Sequence, residues 1–316
     1  MKNDIPARNP GSAKSRKSWL RFKREVPFHL MLLPSVIALF IFSYIPLYGL
    51  TIAFQKFNPA KGLFGDNPWI GLKNFSYIFS LPNIWRVFGN TLIIAILKIV
   101  LGTLVAIVVA ILLNECRRAF IKRGVQTLIY FPYFISWIVL GGVLRDILSP
   151  SDGIVNQIIS FFGGSPIYFL GDNNVFKGTL IVSDIWKTFG YNSVVYLAAI
   201  TSIDPTLYEA ASIDGAGRWK KILHITLPGM STIIILMCVL SLGNVLNAGF
   251  DQVYNLYSVR VYESGDIIDT LVYRIGLEQA KFGPSTAVGL LKSVISFILI
   301  SFAYLFAWKK YDYKIF

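Results

Sequence analysis

The sequence is short of acids, cysteine and histidine. Asp and Glu number 17 against 30 Lys and Arg, a formal charge of +13. The basic residues form no single stripe; they fall between apolar runs, so they speak for orientation in a membrane and against nucleic acid. Two cysteines, Cys116 and Cys238, are too few for a disulfide framework, and both are expected to be free. There is no Gly-x-x-x-x-Gly-Lys-Ser/Thr phosphate loop and no HExxH, CxxC or GxSxG pattern. His29 and His224 lie at different membrane edges. Catalysis by this chain is not expected. Nor is a cleavable signal peptide, because a long basic leader runs into a full-length span without an A-x-A-like site.

What the chain has in excess is apolar surface. Its 316 residues are 54% hydrophobic, with a mean hydropathy of +0.58, gathered into runs long enough to cross a bilayer. The expected fold is an all-α polytopic membrane protein with six transmembrane helices, at about 28–54, 90–114, 125–148, 178–200, 230–250 and 287–308. Residues 1–25 carry eight Lys or Arg against two acids and read as a disordered basic cytoplasmic tail held near anionic lipid headgroups. Residues 26–316 form the membrane domain. Pro34 and Pro46 should kink or shorten the first span. Residues 56–88, rich in aromatics, suggest an interfacial belt with a short surface helix. Residues 153–164 place apolar side chains at helical spacing between glycines, as in a short helix lying on the membrane. The tails and inner loops hold 8, 4, 3 and 3 Lys or Arg against 4, 0 and 3 in the outer loops. Apart from near-ties between single loops, that puts both termini in the cytoplasm.

One polar interruption, at 202–229, is more elaborate than a turn requires. Asp204 and Pro205 supply an N-cap and a first-turn proline, and Thr206 to Ile213 are good helix formers. Gly215 and Gly217 should break that helix. Trp219 to Ile225 can then form a second short helix, basic through Arg218, Lys220, Lys221 and His224. Such a helix–turn–helix between two spans has the character of a docking surface.

The spacing there is specific. Glu209-Ala210-Ala211, three residues, Gly215, nine residues, then Ile225, one residue, Leu227 and Pro228 resembles the EAA loop of permease subunits of binding-protein-dependent ABC importers. The resemblance extends over residues 28–316 and is nearest to the carbohydrate branch, especially permeases working beside a lipoprotein receptor. It implies a type I permease core in a bacterial cell membrane, with Glu209, Ala210, Ala211, Asp214, Gly215 and Arg218 facing an ATPase. It also implies a second related permease subunit, two ATPase subunits and an extracellular solute-binding lipoprotein. The short C-terminus favours a heterodimeric pore. ATP and Mg would belong to the partner ATPase, leaving no cofactor in this chain.

Polar residues inside spans are costly unless they face a bundle interior or cavity. Span four carries Asp184, Trp186, Lys187, Thr188, Tyr191 and Asn192. Asp184 and Lys187, three apart, could neutralise one another, or Lys187, Thr188 and Tyr191 could look into the translocation path. Ser241, Asn244 and Asn247 recur at i, i+3, i+6 in span five, broadly one helix face offering hydroxyl and amide partners to a sugar; amides can equally join helices in lipid. In maltose-type permeases the sugar-contacting offsets land on Lys187, Thr188, Tyr191 and Ser241. Only Tyr191 and Ser241 keep a family-like residue type, so maltose itself is not implied, and Lys187 suggests an acidic, uronic-acid-containing oligosaccharide. Lys98 and Lys292 could snorkel, pair or line the path. Two alternatives stay open: a secondary transporter, which would need paired repeats or mid-depth acids, and an ABC permease for another solute class.

Overall fold

The computed structural model describes residues 10–311, with side-chain surroundings from residue 25 to 305 and at Lys309. Residues 1–9 and 312–316, and with them the start of the basic tail and the end of the chain, lie outside the described residues. Among those described the chain is helical, and its one β-bridge joins Gln55 to Trp69. Helix α1 (Pro10–Leu39) starts inside the segment expected to be disordered. It passes through a π turn at Phe40–Tyr44 into a 3-10 stretch, Ile45–Phe54, with Pro46 in its first turn. Pro34 sits within α1. The short helix α2 (Lys73–Phe79) turns Asn74 onto the end of this span. Its Nδ2 donates to the carbonyls of Ala53 at 2.9 Å and Gln55 at 3.1 Å, filling acceptors that a helix end leaves open.

Helix α3 (Ile84–Glu115) is the central strut. A tight loop leads to α4 (Ala119–Tyr130) and a 3-10 turn at Phe131–Phe134. The chain then bends by 101° into α5 (Trp137–Ile147). The continuous third span expected over 125–148 is therefore a broken one. Pro132 lies in the turn, and Ser136 caps α5 by accepting from the Val139 N–H, so sequence signals for a break were present. Helix α6 (Ile154–Phe161) is the expected surface helix, with Ile154, Ile158 and Phe161 exposed. Helix α7 (Asn173–Thr201) packs along α3. Gly102, Ala106 and Ala110, spaced by four on α3, are buried. Small residues let backbones approach where lipid offers no hydrophobic drive.

After α8 (Pro205–Ile213) come α9 (Arg218–Lys221), a π turn at Ile222–Thr226 and α10 (Leu227–Gly243), continuous from Arg218 to Gly243. The second short helix of the polar loop is thus the first turns of the fifth span. That span ends seven residues before the expected Phe250. Residues 244–249 are non-helical, and Gly249 is left-handed at φ 93°. Short helices α11 (Phe250–Leu256), α12 (Tyr262–Gly265) and α13 (Ile268–Tyr273) follow. They bury Val253, Val261, Ile267 and Ile268 completely, so this expected outer loop is part of the core. A π turn at Arg274–Glu278 leads to α14 (Phe282–Tyr311).

Among the described residues four helices are long and apolar enough to cross a membrane: Glu25–Phe54, Ile84–Glu115, Arg218–Gly243 and Phe282–Leu305. Counting the bent pair as one span gives a fifth. Helix α7 has 29 residues, roughly 43 Å at 1.5 Å per residue. It is long enough to cross, but Lys177, Asp184 and Lys187 hold down its hydropathy.

Helices α7 and α4 meet at Gly190, where a Cβ would run into the carbonyl of Ile129. Gly190→Ala should push them apart at about 1–3 kcal/mol. Gly178→Ala on the same helix has open space and should be neutral or slightly stabilising. Thermal unfolding of the detergent-purified protein compares the two, and equal midpoints would contradict this close approach.

Candidate functional site

Two packed cores leave a gap between them. One joins the first half of α3 and of α7 to residues 245–275, through Ile94, Phe176, Leu180, Leu246 and Val253. The other joins the second halves of α3 and α7 to α10, through Ala110, Tyr196, Leu197 and Met230. Between them, at mid-length of both long helices, lies a cleft of about 430 Å³. Helix α7 contributes Asp184, Thr188 and Asn192, one face at i, i+4, i+8. Helix α10 contributes Ser241, and the non-helical segment after it contributes Asn244 and Asn247. These last two do not share a helix face with Ser241, as the spacing suggested. The helix stops at Gly243, and the irregular backbone brings all three to the cleft instead.

Of the six expected substrate contacts, Thr188, Ser241, Asn244 and Asn247 line this cleft. Lys187 and Tyr191 project from another face of α7. The Lys187 ammonium donates to the Tyr133 carbonyl at 2.7 Å and lies over the Tyr133 and Trp137 rings. Tyr191 stacks on Tyr133 at 3.9 Å. Tyr133 lies at the broken third span, whose freed carbonyls need a donor at membrane depth. Lys187 supplies one. It forms no ion pair with Asp184 within 4 Å; the partner of Asp184 is Lys98, at 3.4 Å.

Lys98 mirrors that arrangement at the second break. Buried on α3, it donates to the Ala248 carbonyl at 2.7 Å and to Gln252 Oε1. Gln252 in turn donates to the Leu180 carbonyl and to Ser183 Oγ, at 2.7 and 2.9 Å. Helices α3, α7 and α11 and the non-helical segment are thereby tied through one satisfied polar network, the condition under which buried polar groups rigidify a site. Lys98, Asp184 and Gln252 form a part of the site that residue type alone had left unassigned.

The polar loop is organised as its residues dictate. Asp204 caps α8 by accepting from the Thr206 N–H at 2.9 Å. That backbone bond, with a further bond from the Thr206 side chain, holds its carboxyl below the usual carboxylate range. At the far end Gly215 takes φ 75°, its N–H donating to the Ser212 carbonyl and that of Ala216 to the Ala211 carbonyl, a Schellman close. Lys221 donates to Ser212 Oγ at 2.6 Å, and the Tyr208 and Thr226 hydroxyls pair at 3.0 Å. These bonds fasten α8 to the root of the fifth span. Glu209, Ala210, Asp214 and Arg218 are exposed and Ala211 is half-buried. Ile213 and Trp219 are exposed to 88% and 78%, apolar surface of the kind a partner covers.

Residues 102–309 match the family described as "Binding-protein-dependent transport system inner membrane component". The chain belongs to this family. It is a permease component of an ABC importer. Among relatives, it is 40% identical to the "Polygalacturonan/rhamnogalacturonan transport system permease protein YteP" of Bacillus subtilis (strain 168), over 92% of this chain and 90% of that one. It is 38% identical to "Protein LplB" of the same organism, over 98% and 96%. Among solved structures, the permease resembles a chain of a bacterial ABC transporter "involved in the import of the acidic polysaccharide alginate". The TM-score is 0.86 and the identity 37%, covering 93% of this chain and 99% of that one. A second structure of a bacterial alginate ABC transporter, in complex with an alginate pentasaccharide-bound periplasmic protein, matches with a TM-score of 0.84 and 37% identity, over 92% and 96%.

Proposed function

We propose that this permease carries an acidic oligosaccharide, received from an external solute-binding lipoprotein, through a path it shares with a second, related permease subunit. The observation that carries the reading is the cleft at mid-length of α3 and α7, where Thr188, Asn192, Ser241, Asn244 and Asn247 offer hydroxyls and amides to a sugar. Relatives named for polygalacturonan and for alginate support the acidic class. In this reading residues 26–316 cross the membrane six times with both termini in the cytoplasm. Helix α7 is the fourth of these crossings, its charges drawn inward by Lys98 and Tyr133. Residues 1–25 are the basic cytoplasmic tail.

Two ATPase subunits hydrolyse ATP with Mg; this chain hydrolyses nothing. Their cleft receives α8 through Glu209, Ala210, Ala211, Asp214, Gly215 and Arg218. Because α8 is bonded to the root of the fifth span, its displacement would move the segment that carries Ser241, Asn244 and Asn247. Sugar and nucleotide would then favour different states through different contacts.

The test has two arms. Calorimetry on the associated receptor should give binding of a uronic-acid oligomer and none of maltose. Proteoliposomes holding the full complex should import that oligomer only with ATP. A receptor binding only neutral sugars, amino acids or phosphate would sink the substrate class, and import without ATP would sink the mechanism.

A further inference from the structure

A second cleft, about 550 Å³, shares Asn247 with the first and is otherwise lined from α11, α13, the π turn after it and α14. Its character differs. Phe250 and Tyr273 form a wall, their rings 5.6 Å apart, and Tyr254 extends it, 5.2 Å from Phe250 and 4.7 Å from Tyr273. Lys292 on α14 lines the same cleft, paired with Asp269 at 2.5 Å.

The two cleft lysines differ in what they have left to give. An ammonium has three donors. Those of Lys98 are directed at the Ala248 carbonyl, Gln252 and Asp184. Among the described residues Lys292 bonds only Asp269, leaving two donors for a ligand. A cation with spare donors beside an aromatic wall matches one ligand chemistry in particular. A uronic acid ring sets its C–H face on the aromatics and its carboxylate on the ammonium.

The geometry points to a second saccharide subsite here, with Lys292 as the residue that reads the carboxylate, Phe250 and Tyr273 as the ring platform and Asn247 as the bridge to the first cleft. This rests on the acidic-oligosaccharide reading and adds that an oligomer passes from one cleft to the other past Asn247, with successive rings in each. It assigns charge selection to Lys292 rather than to Lys98, whose three donors are placed, or to Lys187, which lines neither cleft.

The test uses the complete importer in proteoliposomes with its receptor loaded with a uronic-acid trimer. Lys292→Gln combined with Asp269→Asn removes both charges together, so that no unpaired ion is left behind. Import should fall about tenfold, the loss of one charged hydrogen bond, while the second permease and the ATPases co-purify at wild-type stoichiometry. Lys292→Arg, which keeps the charge, should stay within about threefold of wild type. Import unchanged in the double variant would overturn the subsite, as would loss of co-purification, which would make the pair a subunit contact. Failure of the wild-type complex to import the trimer would instead overturn the acidic-substrate reading, and the subsite with it.

Discussion

Replacing Lys98 with methionine is expected to destabilise the folded chain by about 3 kcal/mol, the low end of what removing one member of a buried ion pair costs. The low end applies because Asp184 keeps 23% of its side chain exposed and can recover some hydration. Three acceptors lose their donor at once: Asp184, the Ala248 carbonyl and Gln252. None can be satisfied by lipid. The non-helical segment that presents Asn244 and Asn247 would loosen, and import should fall at least about tenfold, because a small misplacement of positioning groups is expensive. Adding Asp184→Asn should return a good part of the stability, since the uncompensated carboxylate is then gone. The Ala248 carbonyl would still want a donor, so recovery should be incomplete. A double-mutant cycle on denaturant unfolding in detergent measures the coupling. If Lys98→Met alone unfolds like wild type, the network does not hold the second break together.

The second large effect is on coupling. Gly215→Leu places a side chain at φ 75°, where nothing crowds the new Cβ but the backbone itself costs about 1–2 kcal/mol. The Schellman close would open, and α8 would lose its fixed angle to the fifth span. Receptor-stimulated ATP hydrolysis should drop about tenfold while the protein still inserts and co-purifies with the receptor. Gly215→Asn should retain most coupling, because asparagine tolerates the left-handed region. A leucine variant with normal receptor-stimulated hydrolysis would show that α8 does not transmit the stroke. Equal damage from asparagine would point to a cause other than backbone conformation.

How far the residues alone foretold this molecule depended on whether the information was local. The cap at Asp204, the turn at Gly215 and the surface helix over 154–161 are written in neighbouring residues and were legible there. So was the apolar length of the first, second and last spans. The third and fifth spans were not read correctly, because hydropathy registers composition and is blind to direction. Pro132 and Ser136 at one break, and Asn244 to Gly249 at the other, stood in plain sight inside apolar runs. Thr188, Ser241, Asn244 and Asn247 meet in one cleft, although the helix-face argument for the last two does not apply. Lys187 misled for a related reason. Spacing offered Asp184 or the path as its partner, since a sequence displays side chains and hides carbonyls. The Tyr133 carbonyl, 54 positions away in the chain, becomes an acceptor in need only because the third span breaks beside it. Lys98 was underrated on the same ground.

A bond from a side chain to a main-chain oxygen is unequal in what evolution can do to it. Substitution can remove the amine at position 187 or 98, but no codon change deletes the oxygen it serves at position 133 or 248. Drift at these two sites is therefore one-sided. A descendant that gives up either lysine must find another group of comparable reach, an arginine, a glutamine or a trapped water, or else straighten the helix and forgo the altered chain direction. Relatives that differ at either position offer a natural experiment, in which the replacement donor, or a span made whole again, should be found close by.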